Sequence, residues 1–189
     1  MTLYRTVEPA AEPVTLAEAK QHLRIHHDSE DTLIGGLVRA AREDVERATG
    51  LALINQSWRL ALDDWPADGV LTLTRCPVKE INAVTAYGAE GEARVLDPAD
   101  YFADLGSRPA RLHFETSPEP LRVMNGVEVD FLAGYGEAGP DVPDLIKRSI
   151  LVLVAHWYEF RAAVGPAGQP VSYPAGYDRL IAGYKTRRL

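Results

Sequence analysis

Cysteine is nearly missing: the 189 residues hold one, Cys76. A single thiol cannot close a disulfide within the chain or build a cysteine-based zinc site, which fits a reducing cytoplasm. Because Cys76 precedes Pro77 in an apolar-flanked stretch, it reads as a small buried residue and not as a nucleophile. Long apolar runs are missing too. The longest candidate, Leu145 to Val164, is interrupted by Lys147, Arg148, His156, Glu159 and Arg161, so nothing approaches the roughly 20 residues that span a bilayer. The opening MTLYRTVEPAAEPVT has no basic region leading into an apolar one, so no secretory signal is expected. G-x-S-x-G, P-loop, H-E-x-x-H and kinase-type signatures are all absent. The expectation is a protein with no catalytic residue, no cofactor and no metal.

What is present suits an ordinary globular chain, with 46% hydrophobic and 25% charged residues. Its length fits one good-sized domain, or one domain carrying a sizeable insertion. The net charge of −7 is unevenly placed. Residues 51–139 hold 14 acids and 7 bases, whereas residues 140–189 hold 4 and 7. An acidic body argues against wrapping nucleic acid, whose affinity comes from cationic contacts to phosphate. It leaves room for a surface that DNA slides past.

Hydrophobic periodicity divides the chain. Residues 1–14 carry prolines and little pattern, and read as an extended arm. Thr15 and Glu18 form a capping box ahead of a short helix in which Leu16, Ala19 and Leu23 share a face. A second helix, capped by Ser29 or Asp31, runs to about Thr49, with Gly50 as its terminating glycine. Ile34, Leu37, Val38, Ala41, Val45 and Ala48 form its apolar stripe, and Arg39, Arg42, Glu43, Glu46 and Arg47 are expected on the wet side. From about residue 55 the period becomes two, and short strand-like stretches follow at 70–74, 81–88, 93–96, 101–104, 110–115 and 127–134. No connection is long enough for a crossover helix, so the sheet must be largely antiparallel. A third helix to about Val164, apolar on several faces, is expected to be central. The fold class is thus α+β: a small helical core (15–54 and 140–164), an inserted antiparallel β-meander (55–139), and a linker with a flexible C-terminal arm (165–189).

GYGEAG, residues 134–139, matches G-x-G-x-x-G, but it follows an antiparallel strand and leads into PDVP, where a dinucleotide site needs the glycines to open a helix. It reads as a turn. His22 and His26 stand at i, i+4 without an H-E-x-x-H arrangement and near a helix end, so an exposed polar terminus is expected. His156 lies beside Trp157 in the apolar helix and reads as a core histidine. Asp63, Asp64, Asp97, Asp100 and Asp104 fall near strand ends, where Asp bonds local backbone, and no pair of them stands out as catalytic.

The order of segments carries a resemblance. VTLAEAKQHLRI, then a D-x-L-I-x-x-L-V-x-A-A-R-E-x-V-E-x-x-T-G-L-A-L stretch, then Trp58 with alternating apolar residues and CPV, then AGYG, VP and IKRSILVLVAHWYEFR resembles the head-tail connector (adaptor) proteins of long-tailed phages, including versions in prophages and gene transfer agents. The resemblance covers Val14 to about Val164. It implies a non-enzymatic ring of about 12 copies between the portal and the stopper or tail, with DNA passing through the lumen, made in the bacterial cytoplasm and assembled into the particle. It implies that Ile34, Leu37, Val38, Val45, Ile146, Ile150, Leu153, Trp157 and Phe160 form subunit core and ring contacts. The C-terminal segment would engage the portal, which maps to Tyr177, Leu180, Ile181, Tyr184, Lys185, Arg187, Arg188 and Leu189. The sequence alone leaves open another neck component, such as a stopper or tail terminator, and a small-molecule enzyme using the 134–139 loop.

Overall fold

The computed structural model describes residues 1–116, 121–160 and 173–185. The chain divides into two compact units: Met1–Ala10 with Asn55–Tyr135, and Ala11–Ile54 with Gly136–Leu189. The first is built of strands and the second of helices.

In the helical unit, α1 (Leu16–Leu23) starts at the predicted capping box. The Thr15 hydroxyl accepts from the Glu18 N–H at 3.1 Å, and Glu18 accepts from the Thr15 N–H at 2.7 Å. Helix α2 (Asp31–Thr49) ends as expected at Gly50, at φ 75°, whose N–H donates to Glu46 O. Its start differs: Glu30 holds the N-cap position without a side-chain cap bond. The side chains able to cap are engaged elsewhere, Ser29 with His27, Asp31 with Lys20, and Glu30 with the Tyr158 hydroxyl. Helix α3 (Asp144–Glu159) closes at Phe160, and the expected extension to Val164 lies outside the described residues. A short α4 (Tyr177–Ile181) packs on α3. Ile34, Val38, Ala41, Val45, Ile146, Ile150, Leu153 and Ile181 form the interior, each large side chain contributing about 1.5–3 kcal/mol on burial.

Two expectations fail in this unit. Arg42 and Glu46, read as lying on the wet side of α2, are at most 4% exposed, and Asp44, on the same helix, is 5% exposed. Helix α3, expected to be enclosed, buries Ile146, Ser149, Ile150, Leu153 and Val154 but leaves Leu145 53% exposed and Leu151, Val152 and Ala155 half-buried.

Among the described residues, the β unit has eight strands in two antiparallel sheets. β1 (Thr2–Val7), β2 (Gln56–Leu62), β4 (Val78–Tyr87), β5 (Ala93–Val95) and β8 (Val127–Ala133) form one sheet in the order β1-β2-β8-β4-β5. β3 (Val70–Leu73), β6 (Tyr101–Asp104) and β7 (Ala110–Phe114) form the other, ordered β3-β7-β6. The antiparallel expectation holds, but the larger sheet is not a meander, because β8 returns to lie between β2 and β4. The segment 1–14, read as an arm, contributes β1 through Val7 to the sheet edge, with Thr2 to Arg5 opposite Ala61 to Trp58. Period-two burial makes the sheet two-faced: Val127, Val129, Phe131 and Ala133 are buried while Glu128, Asp130 and Leu132 alternate outward.

Candidate functional site

The side of α2 that buries charge is covered by three pieces of chain. The first is the segment before α1, which supplies Glu12. The second is the irregular stretch Leu51 to Ile54, each residue at most 2% exposed. Backbone donors in such a stretch need partners once water is excluded. Glu46 Oε1 accepts from the Leu53 N–H at 2.9 Å, and the Thr49 hydroxyl accepts from the Leu51 N–H at 3.2 Å. Arg42, 2% exposed, balances the carboxylates, donating from Nε to Glu12 at 2.8 Å and from a terminal nitrogen to Glu46 at 2.9 Å. The third piece is the C-terminal segment. Asp44 accepts from the hydroxyls of Tyr173 at 3.0 Å and Tyr177 at 3.2 Å, and pairs with Arg47. Burial and the neighbouring Asp44 charge push the Tyr177 hydroxyl well above the usual phenol range, so it stays a donor.

The residues expected to engage a portal therefore separate. Tyr177 (3% exposed) and Ile181 (0%) are packed within the helical unit. Leu180 and Tyr184 are half-buried, and Lys185 is exposed and paired with Asp178 at 2.9 Å. Arg187, Arg188 and Leu189 lie outside the described residues. The tail was read as an arm because a Gly/Pro-rich stretch precedes it, but residues 173–185 find partners on α2 and α3. Of the residues expected in core and ring contacts, Ile34, Val38, Val45, Ile146, Ile150 and Leu153 are buried inside the subunit. Leu37 and Trp157 are half-buried and Phe160 is exposed, so these three reach the surface.

The glycine-rich stretch is a turn between the units. Gly134, at φ 155°, approaches Asn55 so closely that a Cβ would lie 2.5 Å from its backbone, and a Cβ on Gly136 would lie 2.2 Å from the Asp141 carboxylate. A one-turn helix at Gly139–Asp141 follows, and α3 starts only after Pro143. These glycines serve close chain approach, which removes the structural basis for a dinucleotide site. His22 is half-buried, and His26 and His27 are exposed. His156 packs against Phe160 at 5.0 Å between ring centres, and Cys76 is 5% exposed. No group of His, Cys, Asp and Glu able to hold a metal occurs among the described residues, and no described helix is long and apolar enough to cross a membrane.

Sequence reasoning missed Arg42, Asp44 and Glu46 as interior groups. The usable signal was Arg42 and Glu46 at i, i+4 directly before the apolar run LALI, a run whose backbone has to be satisfied by something.

What the described surfaces offer is contact chemistry, on the helix faces and on the outward face of the larger sheet. Residues 13–76 match the family model of the phage gp6-like head-tail connector protein. Among solved structures, a chain from the virion of a native gene transfer agent (GTA) particle aligns with TM-score 0.84 and 26% identity over 100% of this chain and 97% of that one. Chains from the neck of an empty GTA particle computed with C6 symmetry, at 27% identity, and of a native one computed with C12 symmetry, at 26%, align with TM-score 0.80 over the same shares. No curated protein sequence matches. Residues 13–76 thus resemble a phage gp6-like head-tail connector domain, and along its full length the chain shares the fold of chains in gene transfer agent particles.

Proposed function

We propose that copies of this chain form a ring of about 12 in the neck of a gene-transfer-agent-like particle, with the portal on the head side and a stopper or tail protein on the other. The observation that carries this reading is the full-length likeness to chains of GTA necks, one of them computed with C12 symmetry. The ring has a structural role without catalysis, and it assembles from chains made in the bacterial cytoplasm. DNA passes through the lumen without being gripped. The β unit has 14 acids against 8 bases, whereas the helical unit has 13 against 12. An acidic wall repels phosphate, so lumen-facing carboxylates would keep transit free of sticking.

Portal engagement falls to the C-terminal surface around Leu180, Tyr184 and Lys185, continuing into Arg187, Arg188 and Leu189. Mixing the full chain with portal rings and weighing the products tests it, alongside a chain ending at Gly176. The full chain is expected to saturate the portal at about 12 copies, and the shortened one to bind at least about tenfold more weakly. Equal binding by both removes the tail from the portal contact.

A further inference from the structure

A ring with rotational symmetry is closed by heterologous contacts, so each copy must carry two different patches that fit each other. Two apolar patches with opposite charged rims stand open on this chain, one in each unit. In the β unit, the turn preceding β8 holds Val123 at 91% and Met124 at 71% exposure. Its backbone is braced. The Arg122 guanidinium lies 3.8 Å from the centre of the Tyr87 ring and donates to Asn125 O at 2.8 Å. The Asn125 N–H donates to Asp63 Oδ1 at 3.0 Å, with Asn125 itself at φ 50°. A turn fixed this way loses little further freedom on docking, which is what makes an exposed apolar pair effective in a contact. Asp63 is exposed against the turn, and the exposed Asp64 follows it in the chain. In the helical unit, Leu145 is 53% exposed, above Leu16 and Leu33 at 36% and 40%. Arg148, exposed, and Val152, half-buried, follow it at i+3 and i+7 on one flank of α3. The first patch is apolar with Asp63 and Asp64 at its edge; the second is apolar with the exposed Arg148 on it, the Asp144 carboxylate beside Leu145 being paired with Lys147 at 2.9 Å.

We propose that the Val123–Met124 turn of one copy docks on the Leu145–Arg148–Val152 flank of the next copy, with Asp64 facing Arg148 across the contact. This rests on the ring reading. The occupant is a second copy because both halves of the match, apolar area and complementary charge, are present on the same chain. DNA is a poor alternative for the acidic patch.

Sedimentation of the full chain over a wide concentration range, with and without portal rings as template, tests the proposal through four variants whose melting is checked first. Val123→Asp with Met124→Asp is expected to weaken association at least about tenfold. Asp64→Lys and Arg148→Glu each weaken it several-fold, and the two together restore it, because the charges are exchanged across one contact. The proposal is overturned if wild-type rings form and the doubly substituted turn assembles equally well, or if the charge exchange fails to rescue. Wild-type chains that never associate, even on portal rings, overturn the ring reading itself. Rings that form normally but no longer take up a tail-side protein when the turn is changed assign the turn to that partner, and the inter-copy contact is then wrong.

Discussion

The two units solve the placement of charge in opposite ways. The helical unit takes charge inside: Arg42, Asp44 and Glu46 are all at most 5% exposed, and they tie separate segments to one face of α2. The β unit keeps charge at its surface, where Arg59, Asp130, Glu128, Arg122 and Tyr87 lie linked on the outward face of the larger sheet, while its buried residues carry no charge and, Gln56 and Cys76 apart, are aliphatic and aromatic. The β unit also exposes Val95, Phe102, Val123 and Met124 at 65% or more. The helical unit needs its buried ions because it has to hold pieces of chain with few backbone bonds of their own. Strands bond to each other through the backbone, so the β unit can spare its side chains for outside contacts.

The sharpest way to break this contrast is to remove a buried ion. Arg42→Ala takes the buried cation from Glu46 and leaves Glu12 facing the exposed Arg39 at 4.0 Å, and is expected to cost about 3–5 kcal/mol. Hydrogen exchange resolved by segment should show the loss of protection over residues 31–54, and β2 and β8 should keep theirs if the units open separately. Uniform loss in both units would mean that they unfold together. Asp44→Ala comes next, at about 2–3 kcal/mol, since two tyrosine hydroxyls lose their acceptor and Tyr177 is buried. Here the readout is faster exchange or proteolysis at residues 173–185, with α2 intact.

These two sites also mark how far the sequence could be read. Local signals were legible: the capping box at Thr15 and Glu18, the stop at Gly50 and the period-two strands all form where pattern placed them. The ion cluster was not legible, because a stripe of Arg and Glu at helical spacing has the same pattern whether water or another segment covers it. Strand β1 was hidden for a related reason. An edge strand is stabilised by pairing with β2, a long-range choice that leaves little mark on residues 1–7. The placement of β8 between β2 and β4 is likewise a matter of partner choice. Of the candidate site, Leu180, Tyr184 and Lys185 reach the surface, whereas Tyr177 and Ile181 are buried, Tyr177 with its hydroxyl on Asp44, which lies 133 positions away.

A smaller effect separates local from tertiary support. Thr15→Ala removes one side of the capping box and should cost about 1 kcal/mol at neutral pH. Chiefly the bond from the Thr15 N–H, and then that from its hydroxyl, hold the Glu18 pKa below its usual value. A depressed carboxylate pKa stabilises the fold above the unfolded-state value, and that contribution is lost as pH falls through the folded-state value. The gap between wild type and Thr15→Ala, measured by urea unfolding, should therefore narrow as the solution is taken below about pH 4.

The smallest effect is expected where the geometry looks strongest. Arg59 binds Asp130 in a two-pronged arrangement, Nε at 2.7 Å and a terminal nitrogen at 2.8 Å, with Glu128 at 3.2 Å. By distance alone it rivals Arg42. Yet its side chain is 34% exposed, against 2% for Arg42, so water competes for every bond and salt screens the charges. Arg59→Ala should cost roughly 0.5–1 kcal/mol, and the cost should shrink in high salt, whereas the cost of Arg42→Ala should hardly change. A loss at Arg59 as large and as salt-insensitive as that at Arg42 would mean that the outward face of the sheet is dry in the assembled protein. The division between a unit that buries charge and one that displays it would then belong to the isolated chain alone.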